Sequence, residues 1–298
     1  SKNILRVRKN LLAEIIKKSS SIDAEQSKLI ASQLVDIIRQ RLPENNEDTT
    51  PGLLSNIISG RIANHFGLNG VNYVVDASCA SAVIAIRNAM REISSKQLDF
   101  ALAGGVDANL YPAFLMAFKR IGLLSPTEPR FFDSRADGYV MSEGAAIHVL
   151  TTLKRAKESG MEILGELSDF TVKSSAPDHL LSPSEPTFVS AINECYRRSG
   201  IRKQDVGYLD LFAFSNVMGD MIERQVVEKC FDLNNPNLHF GNTKTQFGYF
   251  KSANPAVALA KMVLMNRHRT LLPNFDYNPK FSTLKNPIIE GRDYDAPL

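Results

Sequence analysis

Val74-Val75-Asp76-Ala77-Ser78-Cys79-Ala80-Ser81-Ala82-Val83-Ile84-Ala85-Ile86 decides the reading of this chain. An apolar, β-branched run ends in Asp-Ala-Ser, a cysteine follows, and an alanine-rich helical pattern starts at once. That order predicts strand, tight turn, helix, with the strand at 71–76 and Cys79 at the turn. A thiol at a helix start meets free N–H groups and the positive end of the helix dipole, which favour the nucleophilic thiolate. The plainer alternative is a small buried cysteine that only packs.

Outward from that turn the same alternation continues. Asp99–Val106 reads as a buried strand running into the Gly104-Gly105 pair, where backbone can approach another element closely. Residues 112–120 form a short helix. Residues 125–145 make a long irregular loop, of the kind that is functional or tightly held. Asp133, Asp137 and Glu143 within it are expected to bond backbone N–H groups and Arg135 rather than to form a carboxylate site. Strands are expected at 146–152, 162–172, 207–214 and 237–243. Ser182 is expected to cap a helix that buries Phe188, Ile192, Cys195 and Tyr196. Asn254-Pro255 caps another. Upstream, Asp23 and Gln26 open a helix expected to bury Ile30, Leu34, Ile37 and Ile38 and to stop at Pro43. The strand-turn-helix at 71–90 rhymes with 207–229, which predicts two related α/β halves, 1–150 and 151–298.

Composition narrows the function classes. The 298 residues are 44% apolar and 22% charged, with a net charge of +3. That balance points to neither nucleic acid nor a membrane surface. The three cysteines, Cys79, Cys195 and Cys230, are odd in number and lack metal-type spacing. Neither a disulfide framework nor a zinc site is indicated, and Cys195 and Cys230 read as packing. No signal peptide or membrane-spanning run is seen, so a cytoplasmic setting is expected.

Gly60-Arg61-Ile62-Ala63-Asn64, Val75–Ala82, Leu102–Val106, Leu124-Ser125-Pro126, Phe132–Tyr139, Ser142–Ala145 and Leu271-Leu272-Pro273 occur in an order that resembles the β-ketoacyl synthase family, a branch of the thiolase superfamily. The polyketide and polyunsaturated fatty-acid type is the nearest. The resemblance covers roughly residues 40–275. It implies a thiolase-like α/β fold of two βαβαβ-type halves, truncated here at both ends relative to the family. It implies an acyl group passed to Cys79 from the phosphopantetheine arm of an acyl carrier protein, with no bound cofactor. It also implies a homodimer, or a heterodimer with a synthase-like chain, which would cover an otherwise exposed sheet edge.

The family uses two histidines for decarboxylation and condensation, and both are replaced. The first falls at Phe212, in Phe212-Ala213-Phe214-Ser215-Asn216-Val217-Met218-Gly219-Asp220. The second falls at Tyr249, in Lys244-Thr245-Gln246-Phe247-Gly248-Tyr249, with the family's lysine kept as Lys244. Cys79, Lys244 and Tyr249 are thus the catalytic positions; Phe212, Asn216 and the loop histidine His179 are expected to face substrate. The other histidines, His65, His148, His239 and His268, read as structural. Losing general acid–base help costs about 10²–10⁴-fold. The expectation is a degenerate synthase that still carries an acyl group on Cys79. The alternatives are a non-catalytic scaffold or dimer partner of an active synthase, and an active enzyme rewired through His179.

Overall fold

Why the helix after Asp23 starts where it does is visible in its first turn. The Asp23 carboxylate accepts the N–H groups of Glu25 and Gln26, both at 2.8 Å, as an N-cap should. The computed structural model describes residues 13–18, 22–41, 46–47, 49, 51–108, 110–174, 183–274 and 292–293. They form two compact units, Ser1–Val74 and Val75–Leu298.

In the first unit, α1 (Ala24–Arg41) does not bury the expected stripe. Leu34, Ile37 and Ile38 are exposed, and the inward face runs through Ser27, Ala31 and Val35. Those three sit at i, i+4 and i+8, so the small residues took the contact and the large ones face outward. α2 (Asn56–His65) buries Ala63.

In the second unit, α3 (Ser81–Ser94) buries Ala82, Ile86, Ala89 and Ile93 on one face. It lies against β1 (Phe100–Asp107), which pairs antiparallel with β2 (Gly144–Thr151), Gly104 opposite Ile147 and Gly105 opposite Ala146. Gly105 has no room for a side chain: an added Cβ would lie 2.7 Å from the Ala253 Cα and 3.0 Å from the Ala82 Cβ. The outer face of this ladder, with Leu102, Val106, Ile147 and Val149, is exposed. α4 (Pro112–Arg120) and α5 (Leu153–Glu158) flank it in sequence.

α6 (Glu185–Ser199) begins after Ser184, not at Ser182, which lies outside the described residues. It packs on α7 (Val217–Cys230). Between them and β3 (Tyr208–Asp210) and β4 (His239–Gly241), which are parallel, sits the larger core: Leu211, Ala213, Val226, Val227, Phe231, Leu238 and Phe240. α8 (Lys244–Phe247) and α9 (Asn254–His268) follow. The α9 cap is Ala253, so Asn254 is already helical. β5 (Thr270–Leu271) pairs antiparallel with β6 (Arg292–Asp293).

Two expected strands are absent. Residues 71–76 and 162–172 adopt no regular structure, and Val71, Tyr73, Val74, Ile163 and Leu164 are exposed. A strand exists only through its ladder, and no described segment supplies one there. β3 and β4 are likewise shorter than the apolar runs that announced them. The 125–145 loop is tightly held. Asp133 accepts from Arg135 N (2.8 Å) and from its guanidinium (2.7 and 2.9 Å), Asp137 from Ser125, and Glu143 from the Leu110 N–H.

Candidate active site

Cys79 lies in a 3₁₀ turn, Ser78–Ala80, that runs straight into α3. Ser78 enters it with φ +53°, a left-handed conformation that costs a β-carbon-bearing residue of order 1–2 kcal/mol. The turn is held by side chains. Asp76 accepts the Ser78 N–H at 3.0 Å, and Ser81 Oγ donates to the Ser78 carbonyl at 2.6 Å while accepting the Ala77 N–H at 2.9 Å. This is the sharp turn that the sequence announced, and it leaves the sulfur half-buried.

Facing Cys79 is Tyr249, whose hydroxyl donates to the Cys79 sulfur at 2.5 Å. Gly248 precedes it with φ +77°, and an added Cβ would meet Ser142 and the Val140 carbonyl at 3.0 and 3.1 Å. The Tyr249 backbone is tied to the long loop through Tyr249 N to Val140 O (2.8 Å) and Ser142 N to Tyr249 O (3.0 Å). Its ring packs on Tyr139, centroids 4.4 Å apart at 35°, with Phe212 edge-on at 5.9 Å. Burial, then the nearby Cys79, pushes both phenols well above the ordinary tyrosine range, so both stay protonated.

Phe212 is held by its backbone. Glu223 accepts the N–H groups of Phe212 and Ala213, each at 2.7 Å. Lys244 donates to both carbonyls, at 3.0 Å for Ala213, and its ammonium lies 3.6 Å from the Phe212 ring centroid. Asn242 adds bonds to Leu211 O and Phe212 O. Asp220 accepts from Ser215 N and Phe132 N. The loop needs this grip because Ala213 and Ser215 have φ of +50° and +54°. Asn216 caps α7, accepting the Gly219 N–H at 2.8 Å and donating to Phe214 O at 3.2 Å. His179 lies outside the described residues. Cys195 and Cys230 sit away from the site with thiols raised by burial.

The structure therefore brings Cys79, Tyr249, Phe212 and Lys244 together, with Lys244 committed to backbone carbonyls. Sequence reasoning missed Tyr139, Glu223 and Asp220. The two carboxylates stand at i and i+3 of α7, a spacing that could have suggested one shared face. Desolvation pushes Asp220 up to about 6 and raises Glu223, and it lowers Lys244. A raised carboxylate contributes stability at low pH that is lost as pH rises. Between 3.8 and about 6 the folded chain holds a proton on Asp220 that the unfolded chain releases. The urea midpoint of the wild type is expected to fall across that window more steeply than that of Asp220→Asn. Parallel profiles would refute it.

Among the described residues no helix is long and apolar enough to cross a membrane. Residues 27–156 match the family described as beta-ketoacyl synthase, N-terminal domain, and residues 164–278 match its C-terminal domain. The chain is 33% identical over 241 residues to an orsellinic acid synthase, ArmB, of Armillaria ostoyae, covering 79% of this chain and 10% of that protein. It is 31% identical to a highly reducing polyketide synthase of Aspergillus terreus, covering 79% and 9%. Among solved structures, the ketosynthase from module 6 of the bacillaene synthase of Bacillus subtilis superposes with a TM-score of 0.76 at 25% identity, covering 82% of this chain and 45% of that one. A type II polyketide ketosynthase in complex with its acyl-carrier protein and bound to the hexaketide shares the fold, with a TM-score of 0.74 at 22% identity over 80% and 61%. The chain thus spans about a tenth of the length of these curated relatives.

Proposed function

This chain belongs to the β-ketoacyl synthase family, with its thiolase-like α/β fold, and on that premise we propose that it is a non-condensing ketosynthase-like domain carrying an acyl group on Cys79. Its setting is polyketide or fatty-acid biosynthesis in the cytoplasm. We take the two related halves to be 1–150, with the nucleophile, and 151–298, a division by relatedness that differs from the two compact units. The acyl group arrives on the phosphopantetheine arm of an acyl carrier protein.

One observation carries the reading: the groups around Cys79 suit acyl capture and little else. Capture is a thiol–thioester exchange. A bond forms from Cys79 Sγ to the carbonyl carbon, the bond from that carbon to the pantetheine sulfur breaks, and the Cys79 proton leaves with the departing thiol. Decarboxylation is a different demand, because charge develops on an enolate oxygen that must meet preorganised donors. Phe212 has no donor, Tyr249 has one neutral hydroxyl that already bonds the sulfur, and Lys244 serves backbone carbonyls. The same hydroxyl, seated on the sulfur, also favours a second reading: a scaffold that pairs with an active synthase and carries nothing. Either role is served by a homodimer or a heterodimer with a synthase-like chain. Light scattering at micromolar concentration checks the pairing, and a stable monomer counts against it.

Intact-mass analysis after incubation with an acyl carrier protein or an acyl thioester mimic separates the two readings. The expected result is one acyl adduct, mapped to Cys79 and missing in Cys79→Ala. Labelling of Cys195 or Cys230 with Cys79 inert would sink the nucleophile assignment and leave the scaffold.

A further inference from the structure

We propose that Asp107 is a positioning residue for the Cys79 thiol: it staples the turn after Tyr249 to the end of β1 and so keeps the Tyr249 hydroxyl on the sulfur. The inference rests on Cys79 being the nucleophile of the site. Asp107 is the last residue of β1, and its side chain is 1% exposed. Its Oδ2 accepts from Ser252 Oγ at 2.8 Å and lies 3.4 Å from Lys251 Nζ. Ser252 Oγ is also 2.9 Å from the Val106 carbonyl. The stapled residues are the second and third after Tyr249.

Three features mark this staple as more than packing. Lys251 holds φ +44°, a left-handed conformation that its surroundings must enforce. Its ammonium is fixed between Asp107 and the Phe114 ring, 3.7 Å from the centroid. The other Asp107 oxygen, Oδ1, is buried and meets no donor among the described residues, so the carboxylate is costly to keep there. Finally, the strand end that Asp107 terminates packs on the segments that follow both partners. At Gly105 it meets Ala253, of the turn after Tyr249, and Ala82, three residues along from Cys79. The strand end thus lies against both the turn that follows Tyr249 and the helix that follows Cys79.

The test is a double-mutant cycle on the rate at which iodoacetamide alkylates Cys79 in the folded protein, followed by peptide mass mapping. Tyr249→Phe removes the donor that favours the thiolate and is expected to react about tenfold more slowly, the size of one net hydrogen bond. Asp107→Asn is expected to move the rate in the same direction, and to add nothing in the Tyr249→Phe background. Ser252→Ala, which removes one donor and little volume, serves if Asp107→Asn does not fold, with the same pattern expected. A stapled variant that lowers the melting temperature but alkylates at the wild-type rate overturns the proposal. So does an effect that persists unchanged without the Tyr249 hydroxyl. If the rates follow the cycle but Cys79 takes no acyl group, the positioning stands and the acyl-carrying reading falls.

Discussion

Supplied with an acyl thioester and malonyl carrier protein, the protein is expected to release carbon dioxide no faster than its Cys79→Ala variant. General acid–base help is worth about 10²–10⁴-fold and an oxyanion donor about 10²–10³-fold, and the two multiply. If Phe212 and Tyr249 stand where the resemblance implies the family's imidazoles, condensation should fall by at least about 10⁴-fold below an active synthase. Tyr249 does not replace a base, because its burial beside Cys79 keeps the phenol protonated. Lys244 does not replace a donor, because its bonds go to Phe212 and Ala213. The assay is labelled carbon dioxide together with mass detection of a β-ketoacyl product. Turnover well above Cys79→Ala would refute the claim and point to His179 or Tyr249 as an acid–base group. Phe212→His with Tyr249→His places imidazoles on two segments whose backbones are each already tied, and serves as the control.

The second large effect concerns stability. Lys261 on α9 and Asp210 at the end of β3 form an ion pair at 3.0 Å with side chains 1% and 7% exposed. Asp210 also accepts from Thr243 Oγ1 at 2.9 Å and Tyr208 Oη at 3.1 Å, so it anchors the residue just before Lys244. Lys261→Met leaves that carboxylate buried without its cation and is expected to cost about 3–5 kcal/mol, measured by urea denaturation. Adding Asp210→Asn should recover much of the loss. A cost of under about 1 kcal/mol, the size of a surface pair, would mean that water reaches the site.

Much of the site was legible in sequence, and the reasons are local. A β-branched run, Asp-Ala-Ser-Cys and an alanine-rich helix specify a turn through propensity and short-range bonds, and the Asp76 and Ser81 contacts are of that kind. The strands β1 and β2 were legible because both runs are long and apolar, but their antiparallel pairing was not. What failed depends on distant partners. Residues 71–76 have strand composition, yet a strand needs a neighbour that no local pattern can promise. The α1 face was misread because Ala31 and Val35 give a weaker periodic signal than Leu34, Ile37 and Ile38. Glu223 and Lys261 read as ordinary charged helix positions. Their burial follows from loops far away in sequence that present bare backbone N–H groups, or a carboxylate, to them.

The Tyr139–Tyr249 contact has a practical consequence. The chain contains no tryptophan, so its near-ultraviolet spectrum belongs mainly to eight tyrosines. Two of them are packed face to face, inclined at 35°, with one hydroxyl on the reactive sulfur. Held in a fixed chiral arrangement, such a pair behaves as coupled oscillators and contributes a circular dichroism band out of proportion to its number. Modification of the sulfur is expected to displace one member of the pair. The site thus carries its own optical reporter, readable on unlabelled protein while an acyl or alkyl group is being added.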